Sequence, residues 1–169
     1  MKRYIAVALG ALIVAGSVNH VRVNLQASRA LEGRDDVTGY AYYQYGVVPN
    51  KIVFDVWDVG YNASPADVFG AFLDFSYEMR GREFDEVILS FKGEQKFLLP
   101  GAYFRRVGVE RSHANPVYLI RTLPENALKP TGGHAFSKWT GGALGVLSRQ
   151  MEDVNEMADA WFLDDIRYQ

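Results

Sequence analysis

Short alternating runs of apolar and polar residues, typical of strands, predict the first elements of the chain. Residues 38–46 are rich in tyrosine, and residues 51–60 alternate from Ile52 to Trp57. Pro49 and Asn50 supply turn chemistry between them. The pattern predicts two strands joined as a hairpin.

A spacing of three and four residues between apolar positions predicts a helix within residues 62–81. Ser64 is a good N-cap, and Pro65 fits the first helical position. Gly81 is placed to end this helix in a left-handed conformation.

The second half of the chain continues with mixed elements. Residues 84–101 are expected to form a strand, a tight turn and a strand, and residues 102–110 a short helix that Gly108 ends. A further strand is predicted over Val117–Thr122, and the last helix after Thr140.

This order of elements favours a single α+β domain with two layers. The hairpins predict a mostly antiparallel sheet of about five strands, with helices packed mainly on one face. The strand–helix–strand unit over residues 51–91 leaves room for one parallel pair.

The N-terminus has the order of a secretory signal: Lys2 and Arg3, an apolar run from Tyr4 to Val14, and small residues after it. A cleaved signal is favoured over an uncleaved anchor because the run is shorter than the ~20 residues that span a bilayer. We therefore expect an exported protein, periplasmic or extracellular.

The domain organisation follows from this division of the 169 residues. Residues 1–18 form a signal peptide or signal anchor, residues 19–36 a tether or peripheral element, and residues 37–169 a single α+β domain. If the signal is uncleaved, residues 4–18 hold the domain at the membrane.

Composition excludes some classes of function. The net charge of −2 does not fit a nucleic-acid-binding protein, which usually carries a basic excess. The absence of cysteine excludes disulfides, cysteine nucleophiles and thiolate metal sites. No metal-binding or cofactor motif is present, so neither a metal nor a cofactor is expected.

The stretch "TGGHAFSKWTGG" over residues 131–142 contains the candidate chemistry of a small hydrolase. His134 and Ser137 are the one histidine–serine pair in a plausible loop, and an acid would have to come from elsewhere in the chain, with Glu125 and Asp55 as candidates. Without a nucleophile-elbow motif the pattern is not specific, and an enzyme is less favoured than a binding protein.

The same loop offers an anion-binding alternative. Lys138, with Thr140, Gly141 and Gly142 at the start of the last helix, would present positive charge and free backbone N–H groups. The simpler interpretation is a glycine-rich turn in which Thr140 serves as N-cap.

Aromatic side chains of the first hairpin form the favoured candidate binding surface. They are Tyr40, Tyr42, Tyr43, Tyr45 and Trp57. Alternation sends neighbouring rings to opposite faces, so some should lie near solvent, where tyrosine and tryptophan suit protein interfaces. The alternative is cross-strand packing within the sheet.

The sequence thus favours an exported, non-enzymatic module of the cell envelope or extracellular space that binds or assembles through an aromatic β surface. The expected partner is another envelope protein or a second copy of the chain. A membrane-anchored subunit of a larger envelope complex and a small hydrolase are the alternatives.

Overall fold

The computed structural model describes residues 20–167, with the side chains of His20 and Arg167 left undescribed. The strands form one four-stranded sheet in the order β1-β2-β3-β4. They are β1 (Val37–Gln44), β2 (Val48–Val59), β3 (Glu86–Phe91) and β4 (Glu94–Pro100).

Helices precede, connect and follow these strands. They are α1 (Leu25–Ala30), α2 (Pro65–Glu78), α3 (Gly101–Glu110), α4 (Pro116–Thr122), α5 (Ala143–Ala158) and α6 (Asp164–Arg167). Short π-helical turns lie at His20–Asn24 and Asp159–Leu163, and a 3₁₀ turn at Pro124–Asn126.

The sheet is mixed. β1 pairs antiparallel with β2, β2 parallel with β3, and β3 antiparallel with β4. Helix α2 makes the crossover between the parallel strands, as such a pair requires. The α+β class and both hairpins are confirmed, and the parallel pair uses the strand–helix–strand unit over residues 51–91.

The described residues contain four strands rather than about five, and two of the three strand pairings are antiparallel while the central one is parallel. The segment predicted as a further strand, Val117–Thr122, lies in helix α4. Asn115 caps this helix by accepting a hydrogen bond from the Val117 N–H at 2.9 Å, and Pro116 occupies its first turn. This cap outweighs the strand propensity of the short apolar run.

Helix α2 forms where its start signals predict it. The Ser64 side chain and the Asp67 carboxylate make a reciprocal capping box, with Asp67 Oδ2 2.8 Å from the Ser64 N–H. The helix ends earlier than predicted, with Met79 as C-cap, and Gly81 does not adopt a left-handed conformation.

One face of the sheet and the helices form the core. Phe54 of β2 packs on Phe72 and Phe75 of α2, with ring centroids 5.6 and 5.2 Å away. Trp161 is buried beside them, and its indole N–H donates to the Ser90 carbonyl at 3.0 Å. We call the side of the sheet that packs against α2 the helical face, and the opposite side the second face.

The segment over residues 19–36, expected to be a tether or peripheral element, contributes side chains to the core. Val23, Ala27 and Ala30 are buried within the same cluster as the helical face. The predicted signal over residues 1–18 lies outside the described residues. Between residues 20 and 167, no helix has the length and apolar character needed to cross a membrane.

An ion-pair network joins the loop after α1 to helices α2 and α3. Asp74 of α2 accepts from Arg34 at 2.6 Å and from Arg111, which follows α3, at 2.8 Å. All three side chains are partly buried, so the network fixes the position of these elements relative to each other.

Candidate functional site

Three aromatic side chains of the first hairpin share the second face. In register, Tyr42 of β1 lies opposite Val53 of β2, and Tyr40 lies opposite Asp55, two residues before Trp57. Residues of these strands two apart point to the same side of the sheet. Tyr40, Tyr42 and Trp57 therefore lie around Asp55, and we call these four residues the aromatic surface.

The rings of Tyr40 and Trp57 meet edge to face at the outside of this surface. Their centroids are 6.1 Å apart and their planes are inclined by 80°. Each of these side chains is 46% exposed. This geometry is favourable for an aromatic pair, and it leaves large apolar area in contact with solvent.

Asp55 lies beneath the rings and is only 1% exposed. Its Oδ2 accepts hydrogen bonds from the Tyr42 hydroxyl at 2.8 Å and from the Trp57 indole N–H at 3.1 Å. Its Oδ1 accepts from the Gly93 backbone N–H, in the β3–β4 turn, at 3.1 Å. The carboxylate thus fixes two rings of the surface and ties them to the neighbouring hairpin.

The environment of Tyr42 favours its neutral form. Burial raises the pKa of the Tyr42 hydroxyl far above its usual value, and the hydrogen bond to Asp55 and the negative charge of Asp55 add to the effect. The hydroxyl therefore stays a proton donor to Asp55 over the whole physiological pH range.

The other two tyrosines of the predicted binding set lie elsewhere. Tyr43 is buried on the helical face, where its hydroxyl accepts a hydrogen bond from Arg82. Tyr45 lies in the β1–β2 turn, 81% exposed and at a φ of 55°. Only part of the set, Tyr40, Tyr42 and Trp57, is brought together by the fold.

The 131–142 loop runs along the edge of the sheet. Leu128 makes bridges to Leu98 of β4 and to His134, so the chain folds back on itself beside β4. His134 and Ser137 are both exposed. Within residues 20–167 neither side chain hydrogen-bonds to the other or to an acid, so the loop contains no assembled nucleophile–base pair.

A broad open groove of about 830 Å³ separates this loop from α5. The Trp139 indole N–H spans it and donates to Asp153 at 2.6 Å, and the Arg149 guanidinium lies 5.5 Å from the Trp139 ring centre. Arg149 also pairs with Glu152 at 2.9 Å. Arg149 and Glu152 thus bind one another, and the contacts of Trp139 with Asp153 and Arg149 hold the loop on the helix.

The start of α5 differs from the prediction. Gly142, and not Thr140, is the N-cap, and no side chain caps the helix. Gly141 has a φ of 135°, which only glycine adopts readily. Lys138 and Thr140 are exposed, and the geometry gathers no set of groups around an anion beyond the free N–H groups of any helix start.

Asp153 and Ser90 are buried polar residues that the sequence did not single out. Asp153 of α5 is 7% exposed because it anchors Trp139. Ser90 of β3, the register partner of Asp55, is 1% exposed, and its hydroxyl has no hydrogen-bond partner within residues 20–167. Strand alternation placed Asp55 beside Trp57, but only the pairing of β2 with β3 brings Ser90 there.

In the described part of the chain, no group of three or more acidic or histidine side chains is placed to hold a metal ion. Comparisons with protein-family models, with curated proteins and with solved structures found no match, so function is argued from the geometry of this surface.

Proposed function

We propose that the protein is a non-enzymatic binding module that contacts a partner protein of the cell envelope through the aromatic surface. The observation that carries the proposal is the half-exposed pair of Tyr40 and Trp57 above a buried Asp55. The exported location rests on the charged, apolar and small-residue order of residues 1–18.

The fixed position of the rings supports a role in binding. Trp57 and Tyr42 are each held by a hydrogen bond to Asp55, so the surface is ordered before a partner arrives. Ordering side chains is one of the costs of association, and a prearranged surface reduces it. Tyrosine and tryptophan are also the residue types most often found at the energetic centre of interfaces.

The hydrolase alternative has weaker support. It requires His134 to contact both a nucleophile and an acid, and the side chain of this residue makes neither contact within residues 20–167. A membrane-anchored subunit remains compatible with the proposal, since residues 4–18 would place the same surface at the membrane.

The test is capture of the partner by the tagged full chain in its native host, after brief cross-linking. Replacing both exposed rings, by Tyr40→Ala with Trp57→Ala, should reduce recovery of the partner about tenfold or more, as loss of central aromatic residues does at interfaces. Tyr61→Ala is the matched control, because Tyr61 is a fully exposed tyrosine outside the surface.

Equal recovery by the double variant and the wild type would reject the proposal, provided that circular dichroism shows both to be folded. Equal losses in the double variant and in Tyr61→Ala would reject it as well, because they would show a general effect of exposed aromatic side chains.

A further inference from the structure

The Asp55 carboxylate is a buried charge without a cation beside it. Its three hydrogen-bond donors, the hydroxyl of Tyr42, the indole of Trp57 and the backbone of Gly93, are all neutral. Asp55 takes part in none of the ion pairs found within residues 20–167. Buried carboxylates are ordinarily paired with a positive group, so this arrangement leaves a negative charge uncompensated.

Two lysines elsewhere on the sheet already form ion pairs with other carboxylates. Lys51, at the start of the β2–β3 pairing, lies 3.1 Å from Glu86, and Lys96 of β4 lies 2.8 Å from Asp165. Beside Asp55, the Ser90 hydroxyl is buried and unpartnered. Under the rings, the Asp55 carboxylate therefore lacks a neighbouring cation, and the Ser90 hydroxyl can still form a hydrogen bond.

The aromatic rings above the Asp55 carboxylate are suited to binding a cation. The faces of tyrosine and tryptophan attract cations through their quadrupole, and tryptophan does so most strongly. Tyr40 and Trp57 are half-exposed, so a group arriving from solvent reaches them first. The negative charge of Asp55 acts in the same direction, because the carboxylate is buried and hydrogen-bonded directly to the Trp57 indole.

We propose that the aromatic surface receives a positively charged side chain, an arginine guanidinium or a lysine ammonium, from the partner protein. This inference rests on the proposed function and names the chemistry of its partner. An anionic group would be repelled by Asp55, and a purely apolar group would leave the charge uncompensated.

The test uses small probes on the full chain labelled with nitrogen-15. N-acetyl-arginine amide carries the cation, and N-acetyl-citrulline amide has nearly the same shape without charge. The reporter is the Trp57 indole N–H resonance, assigned by its loss in Trp57→Phe. We expect a saturable shift with the arginine probe, at a dissociation constant on the order of millimolar, and about tenfold weaker binding of the citrulline probe.

Variants of the chain separate charge from shape. Asp55→Asn should weaken the arginine probe about tenfold and leave the citrulline probe unchanged, whereas Glu32→Gln, which removes an exposed carboxylate after α1, should change neither. Because Asp55→Asn can unfold the chain, Tyr40→Leu and Tyr40→Phe form a second pair. Tyr40→Leu should weaken the arginine probe, and Tyr40→Phe should retain its binding within about twofold.

Equal binding of the arginine and citrulline probes, or no saturable shift with either, would overturn the inference. The proposed function would still stand if capture of the partner depended on Tyr40 and Trp57. Capture that is independent of both residues would instead overturn the proposed function itself.

Discussion

Asp55 is the residue on which the order of the aromatic surface depends. A tyrosine hydroxyl and an indole N–H that are partly withdrawn from water need acceptors, and one carboxylate oxygen serves both. The second oxygen accepts from Gly93 and joins β2 to the β3–β4 turn. A polar residue at a buried strand position is thus explained by what it holds in place.

Tyr42 makes the stability of the folded chain depend on pH. Its folded-state pKa lies above the ordinary value of about 10, because burial and Asp55 both disfavour the phenolate. Between the ordinary pKa and the raised folded-state pKa, the folded chain binds more protons than the unfolded chain. The free energy of unfolding should therefore fall as pH rises through this range. Tyr42→Phe should reduce the steepness of the fall, measured by urea unfolding between about pH 9 and 11.

The matched control is Tyr61→Phe, since Tyr61 is fully exposed and should leave the pH dependence unchanged. Tyr103, whose pKa burial also raises, keeps part of the dependence in Tyr42→Phe. A slope in Tyr42→Phe as steep as in the wild type would contradict the contact between Tyr42 and Asp55.

Helices α2 and α3 come close together at Gly108. A Cβ atom at this position would overlap the Ser76 carbonyl oxygen of α2. The sequence suggested that Gly108 ends the helix, but α3 continues through it to Glu110. The glycine is there because the two helices leave no space for a side chain, and not because the chain turns.

Substituting this glycine tests the close approach of the two helices. Gly108→Ala should lower the free energy of unfolding by about 1–3 kcal/mol, because the α2–α3 pair has to move apart. Gly145→Ala, at an exposed position of α5 with no atom near the added Cβ, should instead raise the free energy of unfolding by about 0.5–1 kcal/mol. Chemical denaturation of both variants gives the comparison, and an unchanged stability of Gly108→Ala would contradict the packing.

Elements with strong local signals were predictable from the sequence. Elements in which a helix cap opposes strand propensity were not. Ser64 and Pro65 announce α2, and the apolar spacing gives its core side. In α4 a cap at Asn115 competes with an apolar run that favours a strand, and propensity alone cannot decide between them.

At the level of the site, alternation along β2 placed Asp55 with Trp57, and the β1–β2 hairpin was foreseen. Alternation along β1 separates Tyr43 from Tyr40 and Tyr42. Placing Tyr40 and Tyr42 on the same face as Asp55 required the register of the hairpin, which its bulges shift. Ser90 joined the site through the parallel pairing with β3, a contact between segments distant in sequence.

The two faces of the sheet differ across the whole molecule. Buried apolar side chains of the described helices form one cluster with the helical face. The second face instead carries half-exposed rings over an uncompensated carboxylate. This asymmetry separates the part of the molecule that holds the fold together from the part that we propose meets a partner.

The central claim, that a partner protein docks on the aromatic surface, is tested most directly by site-specific photo-cross-linking in the native host. A benzophenone amino acid replaces Thr38, an exposed residue two positions from Tyr40 on β1, or Asn155, exposed on α5. We predict a light-dependent adduct from position 38 that disappears with Tyr40→Ala and Trp57→Ala, and none from position 155. An adduct from position 38 that survives both substitutions, or no adduct there at all, would contradict the account.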